Sequence, residues 1–425
     1  MYLTYLGYII IPLSLIVLKN NPYYLLYLCV VLSGFSGSSV INFNGFSYSV
    51  QPAFYVCFLF MIYKLFEFIK NHKISLSYSS NTLPIFVFLC LLSTVMPTII
   101  TEELLIINVA GEYEYLQSRY TNLTQFIYLF FDYVVFVILV DAIKKAKISR
   151  QKVIDCYLLG IILVCIITYY QCIAFSYGLP FDEFFRTNPH GNIQGTRIYG
   201  PCIEASMLVY YLATGLPLIL HSSWTNFKKC VISFSIIVFG VMSYSTTFLV
   251  AIFVWILGEI WCFRRAIFND KVTFNKVLIF FVCIILASVA IIFSYDYLIK
   301  TIDKLVATLS GENFSGIERW YCFKLLIDVA VSYPILGIGF GSTRGKDLFS
   351  TWFANTGILG MSALLFFIAS QFLKNYGKYN YLKIPVAMIW ITMFVSVPEP
   401  YNLFIWTIFA LIDSCSKEMK KFIVK

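Results

Sequence analysis

The sequence predicts an all-α polytopic membrane protein with about 12 or 13 transmembrane helices, and a long outward loop that carries amphipathic helices. Three observations predict it. Hydrophobic residues fill 60% of 425 positions and aromatics 19%, against 12% charged, a balance that a soluble chain could not keep off its surface. Apolar runs of spanning length follow one another between short polar breaks. Basic residues gather at alternate breaks. Residues 1–425 therefore form a single integral membrane domain.

The runs fall near residues 3–18, 22–38, 50–69, 83–100, 124–143, 153–175, 205–221, 230–246, 248–262, 277–295, 356–373, 384–398 and 400–414. The first lacks a basic flank and a cleavage site, so it is expected to remain as a helix. The last two form a stretch too long for one helix, and a hairpin turning at Pro398-Glu399-Pro400 is expected. Most of the 12 cysteines lie inside apolar runs as small hydrophobes. The formal charge of +9 is dispersed over loop flanks with no basic stripe, which excludes nucleic acid as a partner.

Of 31 basic residues, 22 fall at one set of breaks, which places those breaks and the C-terminus in the cytoplasm. The others are Arg119, Arg186, Arg197, Lys300, Lys304, Arg319, Lys324, Arg344 and Lys346. They share the outward loops 101–123, 176–204 and 296–355. The longest is too apolar and too patterned for disorder. Its first part places Leu298, Ile302, Leu305, Val306 and Leu309 on one face ahead of Gly311, as in an interfacial helix. Ser315 and Glu318 then have capping-box spacing, with an apolar stripe of Trp320, Phe323, Ile327 and Ala330 ending before Pro334. That puts Arg319 in the first turn of a stiff helix.

"SGIERW", "YPILGIGFG" and "FANTGILG" together resemble the signature of the O-antigen polymerase and ligase superfamily: an arginine helix, a Pro-x-x-Gly-x-Gly turn and a Gly-x-x-Gly helix start. "TRIYGPCIEAS", ahead of a span, is similar to that superfamily's other arginine segment. The resemblance covers about residues 315–360 and 195–215. It implies a GT-C-like membrane glycosyltransferase of the bacterial inner membrane with its active site facing the periplasm. The implied substrate is an undecaprenyl-diphosphate-linked oligosaccharide, and the implied partners are membrane lipid and a chain-length regulator protein. Polymerases move the growing glycan onto an incoming lipid-linked repeat unit, whereas ligases move finished glycan onto a lipopolysaccharide core or a protein. Ligases carry a histidine about eleven residues before the Thr-Gly of the closing helix, and here Lys346 and Asp347 occupy that neighbourhood, which favours the polymerase. A lipid-linked oligosaccharide flippase is the further alternative, but paired broken halves are not evident.

The residue chemistry suits that implication. A diphosphate leaving group needs its developing charge neutralised, which guanidinium groups do with bidentate hydrogen bonds. Arg197 and Arg319 are the expected clamp, against the plainer reading of headgroup anchors. Arg344, Arg186 and Tyr199 are further substrate-binding candidates, with backbone N–H groups around Gly337 and Gly339 as phosphate donors. Glu204, His190 and Glu399 are outward candidates for a general base, Glu204 first; salt bridging to Arg197 is its structural alternative. No Asp-x-Asp or histidine cluster stands in the outward loops, so neither a metal nor another cofactor is expected. Glu112 and Glu114 read as solvated loop charges and Arg119 as another. Asp132, at mid-span, is expected to find a Tyr or Ser partner on a neighbouring helix. Cys202 and Cys322 follow the two key arginines, and a bond between them would tie those segments together.

Overall fold

The computed structural model describes residues 2–43, 49–71, 74–78, 82–108, 111–187, 197–268, 314–396, 401–416 and 420–424, with isolated positions at 281, 299, 303 and 306. The expected interfacial helix before Gly311, the run at 277–295, His190 and Glu399 lie outside the described residues. Every other apolar run coincides with a helix.

In chain order the helices are α1 (Tyr5–Asn20), α2 (Tyr24–Leu32), α3 (Pro52–Asn71), α4 (Thr82–Ser93), the short α5 (Met96–Ile99), α6 (Tyr120–Lys144), α7 (Arg150–Tyr177), the short α8 (Asp182–Phe185), α9 (Ala205–Leu220), α10 (Asn226–Met242), α11 (Thr246–Phe268), α12 (Phe314–Ser332), α13 (Leu348–Leu373), α14 (Lys383–Val395) and α15 (Leu403–Asp413). Among the described residues, five stretches are long and apolar enough to cross a membrane: α3, α4 continued through α5, α6, α7 and α13. α1, α9, α15 and the Thr246–Cys262 part of α11 are shorter apolar helices. The last two apolar runs do form two helices, α14 and α15, in place of one.

The loops gather at two ends. Arg150 from the start of α7 donates to Ser414 O at 2.7 Å, and His221 after α9 meets Glu259 of α11 at 3.2 Å. At this end a strand β4 (Ile74–Tyr78) pairs antiparallel with β7 (Lys420–Val424). The opposite end joins the segments around residues 33–42, 101–108, 111–119, 178–187, 197–204, 243–247, 314–347 and 395–396. Each contact connects loops that the basic-residue bias assigns to the same side.

Among the described residues three small antiparallel sheets depart from a purely helical reading: β1 (Tyr2–Leu3) and β3 (Ser49–Val50) on either side of β2 (Ile41–Asn42), β5 (Leu105–Ile107) with β6 (Tyr113–Tyr115), and β4 with β7. They are loop hairpins and closures that pair backbone groups beyond the helix ends.

Asp132 of α6 is fully buried, and neither carboxylate oxygen has a hydrogen-bond partner among the described residues. The expected Tyr or Ser partner is absent there, and the thiols of Cys29 on α2 and Cys57 on α3 are its ionisable neighbours. Removing a buried group without partners is neutral or stabilising. Asp132→Leu should keep or raise the thermal midpoint in detergent; a fall of several degrees would contradict this account.

Candidate functional site at the arginine-bearing end of the bundle

The segment carrying Arg197 is held by polar contacts buried beneath it. Gln171, in the last turns of α7, accepts from the amides of Tyr199 at 3.1 Å and Gly200 at 2.8 Å through one side-chain oxygen. Gly37 donates to Pro201 O at 2.8 Å, and the Cys202 thiol donates to Gly34 O at 3.3 Å. At Gly37 an added Cβ would overlap the Cys202 and Ile203 backbone, so the close approach requires glycine. Gln171→Leu would strip the acceptor from two buried amides and should cost about 2–4 kcal/mol. Thermal unfolding should register that loss, and an unchanged midpoint would refute the role given to Gln171.

Arg197 donates from Nε to the carbonyl of Ser243 at 3.1 Å. Ser243 is the C-cap of α10, where carbonyls lack intrahelical partners and the helix dipole is negative. Tyr244 beside it has φ of 52°, a left-handed conformation that costs about 1 kcal/mol for a residue with a Cβ and lets the chain turn directly into α11. Burial pulls the Arg197 guanidinium below its usual range, with Glu204 nearby opposing the shift; arginine remains charged.

Arg319, near the start of α12, donates from Nη1 to the carbonyl of Val395 at 3.2 Å. Val395 is the last residue of α14, so both arginines rest on helix C-termini. The two termini are themselves joined: Thr247 Oγ1 at the head of α11 and Ser396 Oγ after α14 are 2.7 Å apart. The described contacts thus connect Arg197 to Arg319 through Ser243, Thr247, Ser396 and Val395.

α12 begins at Phe314, so Ser315 lies inside its first turn rather than ahead of it. Its buried face is Cys322, Leu326, Val329 and Ala330; of the expected stripe Ala330 lies on that face, Phe323 and Ile327 are half-buried beside it, and Trp320 is exposed. Leu326, Val329 and Ala330 pack with Ile106, Ile338 and Ala354, which leaves Trp320 67% exposed and stacked on Phe323. Lys346 pairs with Glu318 at 3.6 Å. Asp347 is the N-cap of α13 and accepts from Ser350 N at 2.8 Å.

The glycine turn and the next helix lock into each other. Gly357 has φ 63° and ψ −166°, which breaks α13 in two. Thus α13 begins at Leu348 and restarts after the break, where the sequence suggested a single start near 356. Ile338 N donates to Ala354 O at 2.8 Å and Gly339 N to Asn355 O at 3.2 Å, while Ile358 N returns to Pro334 O at 2.7 Å. Asn355 accepts from Thr343 N and donates to Thr343 O. Gly337 N donates to Tyr333 O. The amides of Gly337 and Gly339 are therefore committed within the fold and are not free for a phosphate in this conformation. These glycines serve close backbone approach instead.

The other candidates separate. Arg186 is buried, lies 4.3 Å from the centre of the Tyr199 ring and donates to Ile203 O at 3.2 Å. The Tyr199 hydroxyl donates to Asp182 at 2.7 Å, and burial together with that bond pushes the phenol up to about 12. Both residues support the Arg197 segment from below. Arg344 donates its backbone amide to Ile107 O at 2.9 Å, beside the β5–β6 hairpin. Glu204 is the N-cap residue of α9 and accepts from Ser206 Oγ at 3.1 Å. It forms no ion pair with Arg197 among the described residues. Arg119 pairs with Glu114 at 2.7 Å. Cys202 and Cys322 are free thiols with different partners, Gly34 O and the Tyr113 hydroxyl, and are not bonded.

Sequence reasoning missed Gln171, Ser243, Thr247 and Ser396. Gln171 had a readable signal as a lone amide in the apolar run 153–175. The hydroxyl residues had none, because helices in apolar chains commonly carry serine and threonine bonded to their own backbone. Among the described residues, no three His, Cys, Asp or Glu side chains gather as a metal-ligand set. Compared with models of known protein families and with curated proteins, the chain matches none.

Proposed function

We propose that the protein is an O-antigen or surface-polysaccharide polymerase, a GT-C-like glycosyltransferase of about 12 or 13 spans in the bacterial inner membrane. It moves the growing glycan from undecaprenyl diphosphate onto an incoming undecaprenyl-diphosphate-linked repeat unit at the periplasmic face. The observation that supports this most is the joining of Arg197 and Arg319 at one end of the bundle. Their Nε and Nη1 rest on helix carbonyls, an arrangement that orients planar guanidinium groups while a diphosphate uses their remaining donors.

In this reaction the acceptor hydroxyl oxygen attacks the anomeric carbon, the bond from that carbon to the phosphate oxygen breaks, and the lipid diphosphate leaves with the bonding electrons. Arg197 and Arg319 stabilise its developing charge. The hydroxyl proton passes to a carboxylate, for which Glu204 is the best-placed described candidate, following Arg197 by seven residues. Ligation is the second reading, but it is disfavoured by the work done where a ligase carries histidine: Lys346 is ion-paired to Glu318 and Asp347 caps α13.

A chromosomal deletion read on a lipopolysaccharide gel tests the proposal. Core bearing one repeat unit is the expected result. Bare core with polymer left on undecaprenyl would indicate ligation, and an unchanged ladder would remove both readings.

A further inference from the structure

The two arginines stand 122 positions apart in sequence and rest on carbonyls of two different helices. Their relative position therefore depends on what fixes the α10–α11 turn against the end of α14. The link visible there is the hydroxyl pair of Thr247 and Ser396, 2.7 Å apart and 149 residues apart in sequence. Thr247 is buried, as are Ser243 and Ser245 of the same turn and Thr392 one helical turn before Ser396. Ser396 itself is half-buried, so the bond is shielded from water on its Thr247 side.

We propose that Thr247 and Ser396 are positioning residues, a crossbar that holds Arg197 and Arg319 at the separation a diphosphate requires. The mechanics follow from the backbone. Ser396 adjoins Val395, whose carbonyl carries Arg319, and its own amide is fixed to Thr392 O at 2.9 Å. Thr247 lies four residues beyond Ser243, whose carbonyl carries Arg197. Both hydroxyls are thus set on short, rigid arms that lead directly to the arginine acceptors. Breaking the pair lets the end of α14 move relative to the α10–α11 turn, and each arginine follows its acceptor. Bidentate recognition is sensitive to displacements of well under an ångström, so loss of the crossbar should weaken anion binding without removing either cation.

The inference rests on the clamp reading above, and its test separates the two. The full chain in detergent is titrated with inorganic pyrophosphate for the wild type, Arg197→Ala, Arg319→Ala, Thr247→Val, Ser396→Ala, the Thr247→Val/Ser396→Ala double variant and the conservative Thr247→Ser. Arginine variants should lose binding. Thr247→Val and Ser396→Ala should each weaken it about tenfold, the double variant no further, and Thr247→Ser should retain it, with folding still cooperative and the thermal midpoint lowered only by what one lost hydrogen bond gives. Wild type that does not bind pyrophosphate would remove the clamp and the crossbar with it. Binding that responds to the arginines but not to Thr247→Val or Ser396→Ala would overturn the crossbar alone.

Discussion

Replacing Arg319 or Arg197 by alanine should abolish long polysaccharide chains while protein abundance stays normal. Each guanidinium is assigned to the charge that develops on the departing diphosphate, and removing one preorganised donor of that kind costs about 10²–10³-fold in rate. The effect on folding should be small by comparison. Arg319 makes a hydrogen bond at the surface to Val395 O, and Arg197→Ala leaves a single carbonyl, that of Ser243, to be met by water at the site. Lysine at either position keeps the charge but loses the planar fork, so partial activity with shortened chains is expected. The measurement is complementation of a deletion strain, with ladders on a lipopolysaccharide gel compared against an immunoblot. Full ladders from both alanine variants would falsify the assignment.

Gly357→Ala should be the most damaging change to the fold. Its φ of 63° with ψ of −166° lies in a region that only glycine adopts readily, and an added Cβ would overlap the carbonyl of Ile335. Gly337→Ala meets the same obstacle from the other side, where the Cβ would overlap the carbonyl of Ala354. Neither neighbour is a flexible side chain that could swing away, because both carbonyls belong to the interlocked backbone that joins the turn to α13. Each variant should lose about 3 kcal/mol or more, the sum of backbone strain and overpacking. Gly377→Ala is the control: its φ is also positive, at 59°, but the space around it is open, so about 1 kcal/mol is expected. Thermal midpoints and monodisperse yield in detergent would rank the three, and equal behaviour would show that the interlock is not what holds this end together.

The helical architecture was legible because every apolar run must satisfy its own backbone in a membrane, and a helix does so locally. The division into α14 and α15 could be read for the same reason, and the end of α12 from Pro334, which cannot continue a helix. The α12 packing face was not legible. A stripe through Trp320 and one through Leu326 have similar periodicity, and which is buried depends on Ile106, Ile338 and Ala354, residues contributed from elsewhere in the chain. Asp132 shows the same limit, since its depth could be read from the sequence but not that neither carboxylate oxygen meets a hydrogen-bond partner among the described residues.

The glycines near Gly337 illustrate the difference at the candidate site. Their spacing announced a special backbone, and phosphate cradling and close approach were both physically sound readings. Only the fold shows that their amides are spent on Tyr333 and Asn355.

Residue patterns alone carried a helical membrane chain, the grouping of its loops into two sets and the two arginines worth testing, because hydrophobicity, charge bias and residue chemistry belong to each segment separately. The tertiary structure decided that both arginines rest on helix C-termini at one end, that Thr247 and Ser396 join those termini, and that the glycine turn closes on Gly357. Each of these is a contact between distant segments, and its geometry is fixed by packing rather than by any local pattern.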